Sequence, residues 1–231
     1  MELMKIANNV QNISEAIASV IKVDVTVVDN QYIRVAGTGS YRERIGEKVN
    51  QDSVFGVVIK EGESFIIENP RQHTVCLHCS DSKTCKEYAE VCCPIKINDE
   101  VIGVIGLIAF NEKQKSELLQ NQNNLIKFLS KMADLISSKL LEQKSTDKVK
   151  LLAKELEIVL DSVDRGILAT DNKGNILRYN ESAIKLFQIN VKDIKQKNIK
   201  EIISENIFEC LAKEKNPVRN REFVYRNKGY Q

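Results

Sequence analysis

The chain reads as an α+β protein: an antiparallel sheet with flanking helices, a long connecting helix, then a smaller, truncated α+β unit. Three observations predict this. Short β-branched runs come in pairs around turn residues, at 23–29 with 32–37 and at 93–97 with 101–110. Apolar residues at helical spacing precede the first pair and follow the second. After the polar run 144–147, a second strand–turn–strand–helix order begins at Gly166. Three segments result: a sheet domain over 1–110, a long helix over 111–162 and a second unit over 163–231.

Leu3, Ile6, Val10, Ile13, Ile17 and Val20 lie three or four residues apart, which lays one apolar stripe along a helix. Asn30 and Gln31 then turn the chain between two strands. Gly37-Thr38-Gly39-Ser40 has the composition of a phosphate loop, but no Gly-Lys-Ser/Thr follows, so it is expected to be a flexible turn. Ser53 is placed to cap a short helix that stops at Glu61-Gly62. Residues 64–68 form another strand, and Asn69-Pro70 open a cysteine-rich segment. Beyond it, Asn98, Asp99 and Glu100 join two strands, and 101–110 is apolar on both faces, as a central strand must be.

Residues 111–163 are helical in pattern. Leu125, Phe128, Met132 and Leu135 step by three or four, polar Lys139, Glu142 and Thr146 follow, and Val149, Leu152, Leu156, Val159 and Val163 resume the stripe. A seam that resumes after a polar gap predicts a parallel coiled coil, and hence a homodimer. The alternative is a helix that packs on the first domain and continues as a solvated linker. In the second unit, Gly174 turns a hairpin and Asn180 caps a helix over 181–187. The lysine-rich run 192–200 is expected to be solvated, Cys210 an inert core thiol, and 221–226 a strand with no partner after it. Such an open edge implies a piece of something longer, or an edge paired elsewhere.

Chemistry concentrates in residues 71–94. Five of the six cysteines lie there, Cys76, Cys79, Cys85, Cys92 and Cys93, in the pattern Cys-x2-Cys-x5-Cys-x6-Cys-Cys. Two thiols two residues apart can grip one metal from a single turn, and later thiols can complete a tetrahedral set. The segment's few apolar residues, Val75, Leu77, Tyr88, Ala89 and Val91, cannot build a core, so it needs a staple. The expected ligands are Cys76, Cys79, Cys85 and Cys92, with Cys93 as the rival fourth. Cys93 shares its strand face with Ile95 and Ile97, whereas Cys92 would look toward the loop. A [4Fe–4S] cluster and zinc both suit such a set, the cluster being the leading expectation. Thr84 and Glu87 have capping-box spacing, which predicts a short helix starting at Cys85 and a lowered pKa for that thiol. His73 and His78 are close enough to substitute.

Composition excludes several classes. Lys and Arg number 34 against 32 Asp and Glu, for a net charge of +2, so there is no electrostatic case for nucleic-acid binding by this chain. The longest apolar run, 101–110, is too short to span a membrane. Residues 1–9 lack the basic-then-apolar run of a signal peptide, so a cytoplasmic location is expected. There, clustered cysteines bind metal more often than they form disulfides. A Cys-x-x-Cys redox catalyst would need a parallel βαβ setting that these surroundings lack, and no base is paired with a nucleophile elsewhere; no enzyme is expected.

The stretch from Leu160 to Phe187, with its strand, Asn-Lys-Gly-Asn turn, strand, Asn180 and helix, resembles the opening half of a PAS sensory domain. Residues 1–110, with Ile102-Gly-Val-Ile-Gly-Leu107 as the most typical strand, are similar to a GAF-type sensor. The cysteine segment followed by Cys-Pro-Ile and Val-Ile-Gly-Val-Ile-Gly resembles the amino-terminal region of sigma-54-dependent transcriptional activators. That resemblance implies a signal-sensing role, with ATPase and DNA-binding output domains in a longer protein or a partner, since this chain carries no Walker loop and no recognition helix; the alternative is a small-molecule-binding sensor, as in a histidine kinase, whose cysteine segment is a structural zinc clip.

Overall fold

In the computed structural model, residues 2–187, 198–203 and 208–209 are described. The lysine run at 192–197, Cys210 and the expected strand at 221–226 lie outside them. The chain divides into two compact units, Met1–Asp147 and Lys148–Gln231. The first unit thus extends well past the expected limit of 110, because the helices that follow the sheet bury Leu118, Leu129, Ile136 and Leu140 in its core.

The first unit is a five-stranded antiparallel sheet in the order β2-β1-β5-β4-β3. Its strands are β1 (Asp24–Asp29), β2 (Arg34–Gly37), β3 (Phe65–Ile67), β4 (Ala89–Ile97) and β5 (Glu100–Ala109). The run that is apolar on both faces, β5, is indeed central, paired with β1 on one side and β4 on the other. Asn98 and Asp99 both adopt positive φ between β4 and β5, as a two-residue hairpin loop requires.

Each sheet face carries its own helices. One face packs against the 3-10 turn Leu3–Ile6, α1 (Ala7–Ile21) and the first half of α5 (Gln122–Asp161). The other face meets α2 (Val54–Glu61) and the cysteine segment, which contains the four-residue α3 (Thr74–Leu77). Glycines set how closely the helices approach. A Cβ on Gly106 would meet the Phe55 ring of α2, and one on Gly103 would meet Leu3 from the opposite side. Ser53 stands at the start of α2 as expected, but its hydroxyl donates to the Asn50 carbonyl at 2.6 Å instead of capping the helix.

The long helical run breaks once, giving α4 (Glu112–Leu119) before α5. The face of α5 that packs on the sheet is Leu129, Ala133, Ile136, Ser137 and Leu140. It sits beside the expected seam rather than on it: Leu125, Phe128 and Met132 flank it half-buried, and Leu135 is exposed. Ala133 and Ser137 have small side chains that allow close approach, and the Ser137 hydroxyl donates to the Lys96 carbonyl of β4 at 2.8 Å.

In the second unit, β6 (Leu168–Thr170) pairs antiparallel with β7 (Ile176–Tyr179), followed by α6 (Glu181–Phe187). Gly174 turns the hairpin at φ +87°, and the Asp171 carboxylate accepts from the Lys173 and Asn175 amides. Asn180 caps α6 by accepting from the Ala183 amide at 2.9 Å. It does more than cap. Its Oδ1 also accepts from Ile167 N, and its Nδ2 donates to the carbonyls of Leu160, Val163 and Arg165.

Candidate functional site

The cysteine segment lies over the second face of the sheet and closes a cavity of about 510 Å³. Side-chain and backbone hydrogen bonds hold it in place where apolar contact is thin. Asn50 donates to Asp81 at 2.6 Å, the Ser80 amide and hydroxyl donate to Asp52, Tyr41 donates to Glu87, and Arg71 donates to the Cys85 carbonyl at 3.1 Å. Only Val75 and Cys76, around α3, join the apolar cluster beneath.

The predicted helix at Cys85 does not form. Residues 85–88 are irregular, because Glu87 is engaged by Tyr41 instead of reaching back to cap Thr84. The short helix is α3 instead, whose amide at Val75 donates to His73 Nδ1 at 3.3 Å. His73 is thus a cap, and His78 is exposed. Without a helix start beneath it, Cys85 is not acidified. Burial, with Glu87 second, pushes its thiol up to about 11, and burial with Glu90 beside it pushes Cys76 up to about 12.

Cys76, Cys79 and Cys85 line the cavity together, and all five described cysteines are free thiols. Cys92 and Cys93 lie within β4, whose first residue is Ala89. Cys92 is fully buried on the same side of the sheet as Cys76, but its thiol donates to Glu90 Oε1 at 3.1 Å, and it does not line the cavity. Cys93 belongs to the core on the opposite face, where Ser64 donates to its sulfur at 3.3 Å. Alternation along the strand therefore separates the two rivals, leaving Cys92 on the side of the segment thiols and Cys93 on the other. Among the described residues, no three His, Cys, Asp or Glu side chains are grouped as a metal ion requires.

Beneath the thiols lies a polar floor that sequence reading missed. Arg34 of β2 is 4% exposed and Glu90 of β4 is 2% exposed, and both line the cavity. The Arg34 guanidinium stacks over the Tyr41 ring, 4.2 Å from its centroid, and donates to the Thr26 hydroxyl. Its Nε has no partner. No ion pair joins Arg34 to a carboxylate among the described residues. Burial lowers the Arg34 pKa, and burial followed by repulsion from Glu87 holds the Glu90 carboxyl well above the usual carboxylate range. Tyr41 is likewise raised by burial and by Glu87. Buried, perturbed charges facing a cavity are the physical mark of a binding site. The sequence signal was a lone charge at an inward position of each strand: Arg34 between Ile33 and Val35, and Glu90 between Ala89 and Val91.

Comparison with known proteins agrees with the fold. The family model for the GAF domain matches residues 5–138, more than half of the chain, and the model for the PAS fold matches residues 154–230. The chain is 27% identical over 184 residues to the provisionally named uric acid sigma-54-dependent transcriptional regulator UacR of Escherichia coli (strain K12). That match covers 79% of this chain and 31% of the relative, so the chain spans about a third of that protein's length. Among solved structures, a chain in the E. coli DhaR(N)–DhaL complex superposes with a TM-score of 0.62 at 13% identity, covering 96% of this chain and 79% of that one. At that identity the likeness concerns the fold alone.

Proposed function

Since the chain belongs to the GAF domain family, we propose that it is the sensory region of a sigma-54-dependent transcriptional regulator, reading a small-molecule effector in the cavity beneath the cysteine segment. One observation carries this reading: a cavity of about 510 Å³, a size that suits a metabolite, floored by two buried polar side chains, Arg34 and Glu90, that no salt bridge neutralises. The relative's name makes uric acid the first effector to try. Isothermal titration should give saturable 1:1 binding to the chain and at least tenfold weaker binding to Arg34→Gln. A flat titration of the wild type would remove uric acid as the effector.

Such a protein would act without catalysis, in the cytoplasm, through ATPase and DNA-binding domains carried in a longer chain or a partner. Among the described residues, no helix is long and apolar enough to cross a membrane. The relay to the PAS fold would run along α5. Its stretch from Val149 to Val159 leaves Val149, Leu152, Leu156 and Val159 between 48% and 63% exposed, which favours a second copy of this helix as their cover. Sedimentation should show a dimer in the wild type and a monomer in Leu152→Glu/Leu156→Glu.

A second reading adds a metal. Its support is that Cys76, Cys79 and Cys85 face one cavity beside Glu87 and Glu90, a negative surround in which a cation would restore the thiolates that burial now disfavours. Zinc or a [4Fe–4S] cluster would need the segment to tighten and, with Cys93 on the opposite face, either the release of Cys92 from Glu90 or a fourth ligand from another residue or the effector. Metal analysis of anaerobically purified protein tests it. Iron or zinc should bind stoichiometrically and be lost in Cys79→Ser; colourless, metal-free protein ends this reading.

A further inference from the structure

The floor of the cavity is specific enough to name a ligand class, on the premise that the cavity is the effector site. Arg34 and Glu90 come from strands on opposite sides of β1 and β5, and both are more than nine-tenths buried. No salt bridge joins the two among the described residues, although the Arg34 charge acts on the Glu90 carboxyl. Arg34 uses a terminal nitrogen on Thr26 and leaves Nε without a partner, and Glu90 accepts only from the weak thiol donor of Cys92. A ligand with acceptors alone would leave the Glu90 carbonyl oxygen unmet, one with donors alone would leave Arg34 unmet, and an apolar molecule would leave both unmet. The walls are aromatic: Tyr41, Phe110 and Phe55 line the cavity, the Tyr41 and Phe110 rings having centroids 5.8 Å apart and planes tilted by 47°.

We infer that the cavity selects a small planar ring with a cyclic amide edge, its carbonyl oxygen received by Arg34 and the adjacent N–H by Glu90. Sites that bury both halves of such a hydrogen-bonding pair reject analogues lacking either half far more strongly than analogues of altered size.

Four probes test the class by isothermal titration against the whole chain: uracil and xanthine, which carry the edge, benzoate, which lacks the N–H, and benzamidine, which lacks the acceptor. Uracil or xanthine should bind at least tenfold more tightly than benzoate and benzamidine, and Arg34→Gln or Glu90→Gln should erase that preference. Failure of both ring amides to bind overturns the ligand class. If benzoate or benzamidine then binds and Val49→Trp, which narrows the cavity wall, abolishes it, the effector site stands without this class. If Val49→Trp changes nothing, the cavity reading falls too. A substitution-free measurement guards against misfolded variants. In the wild type, the bound ring should slow N-ethylmaleimide labelling of half-buried Cys79 and Cys85 at least threefold, and unchanged rates overturn the proposal.

Discussion

Cys92 and Cys93 are neighbours in sequence and stand on opposite faces of β4, and the two faces have little else in common. The side holding Cys93 is a dry core, in which Leu3, Val10, Ile17, Leu107, Leu129 and Ile136 meet. The side holding Cys92 starts as a core around Val58, Ile67 and Val104, then gives way to Thr26, Arg34, Tyr41 and Glu90. Period-two alternation let one sheet do both jobs. Apolar burial on one face holds the fold, at roughly 25 cal/mol per Å². Arg34 and Glu90 on the other are desolvated without a salt bridge between them, an arrangement that opposes folding. Stability and recognition are thus segregated by strand face rather than by domain.

The contrast is sharpest when each face is damaged in turn. Leu107→Ala, at the centre of the dry face, should lower the unfolding free energy by about 3 kcal/mol in urea with an unchanged m-value. A loss below about 1 kcal/mol would mean that this face is not the one that holds the sheet.

Acidity comes next, because the cavity face carries a buried carboxyl whose proton affinity burial has raised. Burial, then Glu87, raises Glu90 to about 8, so the folded chain keeps a proton that the unfolded chain releases near 4.5. The stability this confers is complete below the unfolded value and is lost as pH rises through the folded one. Urea midpoints should therefore fall between pH 5.5 and 8.5 in the wild type and stay flatter in Glu90→Gln. Parallel curves would place the charge on Glu90 throughout.

Removing both polar side chains gives a smaller effect. Arg34→Met with Glu90→Leu should leave stability within about 1 kcal/mol of the wild type, or raise it, since well-packed apolar groups often replace buried ions without loss. A deficit like that of Leu107→Ala would make the polar floor structural and break the division of labour. Smallest of all, Ser64→Ala removes one hydrogen bond to the Cys93 sulfur and should cost about 0.5 kcal/mol by thermal melting.

Elements that depend on neighbours in sequence were legible from the start. The β4–β5 hairpin, the central place of β5, the Gly174 turn and the Asn180 cap all follow from residues within a few positions of one another. What escaped depends on strand order. Arg34 and Glu90 share a cavity only because β1 and β5 lie between their strands, and no local pattern encodes that. Tertiary contacts also overrode local signals. Glu87 had the spacing to cap a helix at Cys85, but Tyr41, distant in sequence, took its carboxylate. On α5 the periodicity was visible while its phase was not, because the sheet favours the small residues Ala133 and Ser137 over the bulkier stripe beside them. The cysteine spacing identified the segment that covers the cavity, whereas the direction of each thiol was settled by β4.

The five hydrogen bonds on Asn180 matter to anyone who would cut or graft this protein. A single amide fastens the last turn of α5, the following loop, the approach to β6 and the start of α6, so these pieces behave as a welded joint with no hinge inside it. A chimera spliced between Leu160 and Ala183 would strand buried donors and acceptors on both sides of the junction. One spliced upstream, along the bare surface of α5, would inherit the joint whole.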